Sequence, residues 1–429
     1  MDRADAEHLV RRTGFGIDWA LVDQLTPMSR ADAVATLMDF SSNPTPQPPA
    51  GIFDEEGSKW RQVADLKVWW MERMRLMPRP LQEKLTFFWH GHFATNADTH
   101  RYAWQTWQEN NLFRGMLFGS FRDLAQAMSV TPSMLLYLDN YRNKAGNPNE
   151  NFARELLELH LLGPGEHHSE NDIIETARAW TGHHLSDGLK NYQYNSYWHD
   201  HRNKTIFGIT KNWDGPQVID EAVYGVHRIA SARYIATELW SFLAYPNPSS
   251  SVIDDITADY LNNNLNLGLL VRSVLMHDEF YSTQARTGLV RSPVEWAVAC
   301  ARAGASPASE CRPDWWIRDM GQNLLHPPNP SGWKQNAEWI SATGAWARAD
   351  FASHLVWKMS QRDHLEEIYD LSVPAVVDLL RGWFSLNTLT TTTRRALEDY
   401  LYAERATEEW PQYRNVLTLV MLSPEMQLA

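Results

Sequence analysis

Cysteine is nearly missing from this chain: its 429 residues include only Cys300 and Cys311. Two thiols cannot build a disulfide framework or a cysteine-rich zinc site, although their closeness in sequence allows one local bridge. Long apolar runs are missing too. No stretch approaches the ~18 apolar residues of a membrane span, so none is expected, and the opening MDRADAEHLVRRTGFG lacks the apolar core of an export signal. As written, the chain reads as cytoplasmic, or as a mature form already trimmed. Basic clusters are equally scarce. Lys and Arg number 39 against 52 Asp and Glu, a net charge of −13, and nucleic-acid affinity rests on phosphate-directed Lys and Arg, so no nucleic-acid partner is expected. The chain also has no Walker loop, no GxGxxG after a strand, no GxSxG elbow and no HExxH helix. These gaps exclude P-loop NTPases, Rossmann dehydrogenases, α/β-hydrolases and zincins.

What is present is an ordinary globular composition, 44% hydrophobic and 21% charged, with two excesses. Twenty residues are Trp, which fill helical cores but also build platforms for sugars and flat ligands. Ten of the 16 His fall between His90 and His201. Apolar residues recur at helical spacing, as in Val34, Leu37 and Met38 and again in Val63, Leu66, Trp70 and Met74. The same rhythm runs through 80–90, 101–114, 120–128, 149–162, 170–182 and 227–244, and then through most of the chain to 422, including 365–385. Four prolines in 41–51 interrupt it and predict a surface loop. Alternation at Tyr192, Tyr194 and Trp198, followed by a β-branched run over 204–210, predicts one hairpin with His199 to Asn203 as its turn. The expected fold is therefore mainly α: a multi-helical globular protein with one small β-hairpin insertion. Its N-terminal region, 1–215, carries the histidines and the hairpin, and a C-terminal helical region, 216–429, packs with it as one continuous fold.

In order, the chain reads HLVRRTGFG at 8–16, EKLTFFWHGHFAT at 83–95, NENFARELLELHLLG at 149–163, NDIIETARAWTG at 171–182 and HDHRNKTIFG at 199–208, then RSPVEW at 291–296, MGQNLLHPPNPSGW at 320–333 and LSPEMQ from 422. Over nearly its whole length this series resembles the bacterial family called domain of unknown function 1800. The resemblance implies no particular activity. Family members often look exported, whereas this chain lacks the export signal, and it reads TGHH at 181–184 where the family usually has TGW.

Three constellations carry the chemistry. His90 and His92 sit two apart; inside a helix they would point about 200° away from each other, but a helix ending at Gly91 would let both turn to one point. His160 falls in the apolar arc of the 149–162 helix, where a buried imidazole needs either a hydrogen-bond partner or a metal. Glu155 and Glu158 share that helix. Arg154, four positions before Glu158, claims Glu158 for an ordinary ion pair and leaves Glu155 the better functional candidate. His199, Asp200 and His201 occupy the presumed turn, where local Asx-turn chemistry competes with a catalytic role. Ser169 with Asp172, and Ser292 with Pro293, read as helix caps; Arg11 and Arg12 read as a buried ion pair; Gln322 and Pro327 to Trp333 read as a rigid loop, packed or lining a cleft.

The leading expectation is a metal-dependent enzyme, hydrolase or oxidoreductase. His90, His92 and His160 would bind a divalent Zn, Fe, Mn or Cu ion, and Glu155, His199 and Asp200 would act as catalytic groups, with Glu155 or Asp200 supplying a ligand oxygen. The segments 83–95, 149–163 and 199–204 would then meet at one cleft, taking a small molecule or glycan as substrate. The alternative is a non-catalytic helical binding or assembly module for a glycan or partner protein. A third option is a metal-free hydrolase or lyase using Glu155 and His199 as an acid–base pair.

Overall fold

The structure, a computed structural model, describes residues 1–429 apart from 166, 362–367, 369, 387–388 and 408–412. It is mainly helical, as the apolar period requires. Lys59–Leu76, Leu81–His92, Ala103–Met116, Glu170–Ala179, Arg228–Leu243 and Pro293–Ala303 are the helices that position the site. The caps read from the sequence are present: Ser169 and Asp172 bond reciprocally at the start of Glu170–Ala179, and Ser292 and Glu295 do the same for Pro293–Ala303. Residues 43–49 form no regular element, and all are exposed or half-buried. The start of the 365–385 stretch lies outside the described residues; the rest includes the Val373–Trp383 helix.

The β-structure differs from expectation. Among the described residues there are two hairpins rather than one, and 199–203 is not the turn of either. Strand β1 (His183–Ser186) pairs antiparallel with β2 (Asn191–Tyr194), and β3 (Lys204–Ile206) with β4 (Ile209–Lys211). The reason lies in the turns. Phe207 and Gly208 both take positive φ (52° and 77°), a two-residue reversal that pairs β3 with its immediate successor. That leaves β2 to pair backwards with the TGHH stretch.

Buried apolar residues form two large cores. The first gathers Leu9, Val22, Leu85, Phe88, Trp89, Phe152, Trp180, Ile235 and Leu270; the second gathers Leu66, Trp70, Phe87, Trp296, Phe351 and Leu417. The Leu81–His92 helix is a shared wall, with Phe88 and Trp89 in the first core and the adjacent Phe87 in the second. Phe242 packs against both. An ion-pair cluster anchors this helix. Buried Glu83 takes Arg73 Nε at 2.9 Å and Arg114 Nη2 at 2.7 Å, with the Trp70 indole N–H at 3.0 Å. Burial opposes ionisation there, but Arg114 and Arg73 outweigh it and hold the carboxyl below its ordinary range. Arg11 and Arg12 differ from expectation: they donate to the backbone carbonyls of Arg286 and Ala285 rather than to a carboxylate. Cys300 and Cys311 are both buried in the second core and unpaired.

Candidate active site

Where the two cores meet, a cleft of about 250 Å³ opens. Its walls come from segments that the sequence had marked. The 83–95 segment supplies Gly91 and His92, and 149–163 supplies Leu159. Ser292 and Glu295 come from 291–296, and Gln322, Ser331 and Trp333 from 320–333. The Arg228–Leu243 helix closes the cleft with Tyr234, Glu238 and Phe242. Two glycines set these walls in contact. A Cβ on Gly332 (φ 78°) would lie 2.6 Å from the Gly91 carbonyl oxygen, and one on Gly163 (φ 78°) would lie 2.6 Å from the Tyr234 ring. Only a hydrogen fits at either point, so the 320–333 loop and the Tyr234 ring seat directly on backbone.

His92 is fixed by the helix turn opposite. The Glu150–Glu155 helix runs on into a π-turn, Leu156–Leu161, a widened turn of a kind frequent at functional sites. The carbonyls at its end reach sideways: Leu159 O accepts the Tyr234 hydroxyl at 2.8 Å, and His160 O accepts His92 Nε2 at 3.0 Å. A carbonyl only accepts, so Nε2 carries the ring proton and Nδ1 is the bare nitrogen of a ring that lines the cleft. Burial pulls the His92 pKa down to about 4, against a small opposing pull from that hydrogen bond. The imidazole is therefore neutral, with its lone pair available.

Two carboxyls share the cleft in contrasting surroundings. Glu238, one turn along from Tyr234, lines the cleft and is exposed; the protein around its carboxyl raises its pKa, and no group among the described residues pairs with it. Glu295 is half-buried, bonded by Lys84 and by the Ser292 N–H at 2.9 Å. Burial opposes its ionisation, yet Lys84 keeps it below the ordinary range. The pKa values of the two carboxyls are thus moved in opposite directions, Glu238 up and Glu295 down.

The remaining site residues from the sequence are dispersed. Gly91 does not end the helix, which runs through His92 and closes with the Phe93 N–H on Trp89 O. His90 therefore points away from His92. It lies between the Trp70 and Trp333 rings, each centroid at 5.3 Å, with Nδ1 3.9 Å from Glu109. The His160 ring stands behind His92, centroids 6.2 Å apart, and packs on Phe93 at 5.1 Å. Among the described residues, no three His, Cys, Asp or Glu side chains form a group able to hold a metal ion. Glu155 is half-buried, its pKa raised by burial and then by Glu158. Asp200 is gripped by Arg202 (2.6 and 2.9 Å) and Arg178 (2.9 Å), which hold it far below the carboxylate range. His199 bonds its Nδ1 to Thr181 O at 2.9 Å. Neither His199 nor Asp200 lines the cleft, whereas 83–95 and 149–163 do meet there.

Sequence reasoning missed Glu238, Tyr234 and Glu109. Nothing local marks the first two, which sit on an ordinary amphipathic helix. Glu109 is buried beside Thr95, whose hydroxyl donates to the carboxyl at 2.8 Å, and burial pushes its pKa up to about 8.

A family model described as "Protein of unknown function (DUF1800)" matches residues 8–428. No curated protein and no solved structure matches the chain.

Proposed function

The chain belongs to the DUF1800 family, and we propose that it is an enzyme working by general acid–base catalysis in the cleft between its two cores. The observation that carries this reading is the placement around one cleft of a neutral imidazole with a bare nitrogen and a carboxyl, Glu238, whose pKa its surroundings raise. His92 Nδ1 takes a proton from water or from the substrate; Glu238 gives one to the group that leaves. The His160 carbonyl keeps His92 in the tautomer this needs, much as a carboxylate does in a catalytic triad. The reactions such a pair performs on a small substrate are hydrolysis and elimination. A divalent ion would find in His92 and Glu238 two donors, against the three protein ligands usual in a catalytic zinc site. Proton transfer needs only the two residues.

The test is activity profiling of the purified protein on panels of small esters, amides and glycosides, with His92→Gln and Glu238→Gln alongside. Each substitution should lower kcat by ~10²–10⁴-fold while leaving the circular-dichroism spectrum unchanged. Turnover that survives both substitutions, or a panel on which the wild type is no faster than the double variant, would count against the proposal.

A further inference from the structure

A second pocket, of about 350 Å³, lies between the first turns of the Lys59–Leu76 and Pro313–Asp319 helices and the 320–333 loop. Two indoles flank it. Trp60 is 74% exposed and Trp315 is 58% exposed, a large apolar area left in water beside a cavity whose other walls, Val63 and Ala64 apart, are polar. The Arg312 guanidinium sits 4.3 Å from the Trp315 ring centroid and occupies one face, which leaves the other for a ligand.

Among the polar walls, Lys67 stands out. Its ammonium donates to Asn323 Oδ1 at 2.7 Å and has no ion-pair partner among the described residues. The other charged groups around the pocket are engaged. Asp314 is held by Arg312 at 2.9 and 2.8 Å, Asp98 lies 3.3 Å from His326 Nε2, and Arg318 pairs with its neighbour Asp319. Lys59 donates to the backbone carbonyls of Ala97, Asp98 and His100. Burial lowers the Lys67 pKa to about 8, against the opposing pull of Asp314 and Asp98, so an anion delivered to it would relieve a desolvation cost already present.

Two flat apolar faces, a surround of hydrogen-bonding groups and, in Lys67, a cation held by a single neutral amide describe a specific ligand. A pyranose offers C–H faces to stack on indoles and hydroxyls to bond the surround, and a sugar acid adds the anion. We propose that this pocket binds a carboxylate-bearing saccharide, with sugar rings against Trp60 and Trp315 and the carboxylate on Lys67. The proposal is independent of the acid–base cleft, because the shared loop turns Asn323 and His326 to this pocket and Gln322 and Trp333 to the other.

The experiment is calorimetric titration of the full chain with a β-1,4-linked glucuronate trimer and, as the neutral counterpart, cellotriose. The uronate trimer should bind, and cellotriose should bind about tenfold more weakly or not at all. Trp60→Ala and Trp315→Ala, both at exposed positions, should each weaken uronate binding by about tenfold. Lys67→Met should erase the difference between the two trimers, and raising the salt concentration should narrow it in the wild type, which keeps the charge claim testable if that variant fails to fold. His92→Gln should leave both titrations unchanged. Equal binding of the two trimers, binding indifferent to both tryptophans, binding of neither trimer, or equal binding of an acidic tripeptide would each overturn the proposal.

Discussion

At the residue scale, the buried ionisable groups oppose one another in their effect on stability. Burial pushes Glu109 up to about 8 from an ordinary 4.5. Across that interval the folded chain keeps a proton that the unfolded chain has released, so this group makes stability fall as pH rises from 4.5 to about 8. The histidines act in the other direction. Burial lowers His90, His100 and His160 to about 3 and His92 to about 4, from 6.5, so their contribution is complete above 6.5 and is lost as pH falls below it. Glu109→Gln isolates the first effect. In urea melts, the stability difference between variant and wild type should shift in the variant's favour by ~1–4 kcal/mol on going from about pH 5 to about pH 8. A difference that stays constant with pH would mean that Glu109 is ionised in the fold. Of these groups, only the burial of His160 was legible beforehand, because the apolar arc of its own helix states it. Glu109 was not, since its surroundings arrive from Thr95 and His90 on other segments.

At the scale of elements, Gly91 shows why local reading stops where it does. A glycine near the end of an apolar helical run is compatible with a helix terminus and with a helix interior, and sequence spacing does not separate the two. Here the interior wins, because the 320–333 loop lies against the Gly91 carbonyl through Gly332, and the helix continues beneath it. The two glycines should therefore respond oppositely to alanine. A Cβ on Gly91 meets nothing within 4 Å, so Gly91→Ala should raise stability by up to ~1 kcal/mol. Gly332→Ala combines positive φ with a backbone clash and should cost ~1–3 kcal/mol, loosening the cleft wall. Thermal melts of the two single variants decide it, and equal effects would contradict the helical assignment of Gly91. The hairpins follow the same logic. The strand around Tyr192 was legible from its alternation and that around Thr205 from its β-branched residues. Their partners were not, because a Phe–Gly reversal with Phe at positive φ carries none of the usual Asn–Gly signal. Glu238 was hidden for a related reason: it is the single acidic residue of an ordinary amphipathic helix, and only a wall built from four distant segments makes it a cleft residue.

For the whole molecule, what matters is how the two cores are joined. Phe242 contacts Phe88 of the first core (centroids 5.3 Å apart) and Phe87 of the second (6.3 Å), and it also lines the cleft. One ring therefore contributes to both halves, and its loss should weaken their coupling more than it weakens either. Phe242→Ala is expected to cost ~2–4 kcal/mol and to resolve a single calorimetric transition into two; one sharp transition at a lower temperature would show that the cores are coupled elsewhere. The two unpaired cysteines offer a way to watch this happen. Both lie in the second core, where burial raises the Cys311 thiol to about 12 and Cys300 further still, and the first core has none. A thiol-specific reagent thus finds no thiolate in the closed molecule and reacts only after that half has opened. The labelling rate becomes a clock for the second core alone, running on the native chain without any introduced probe.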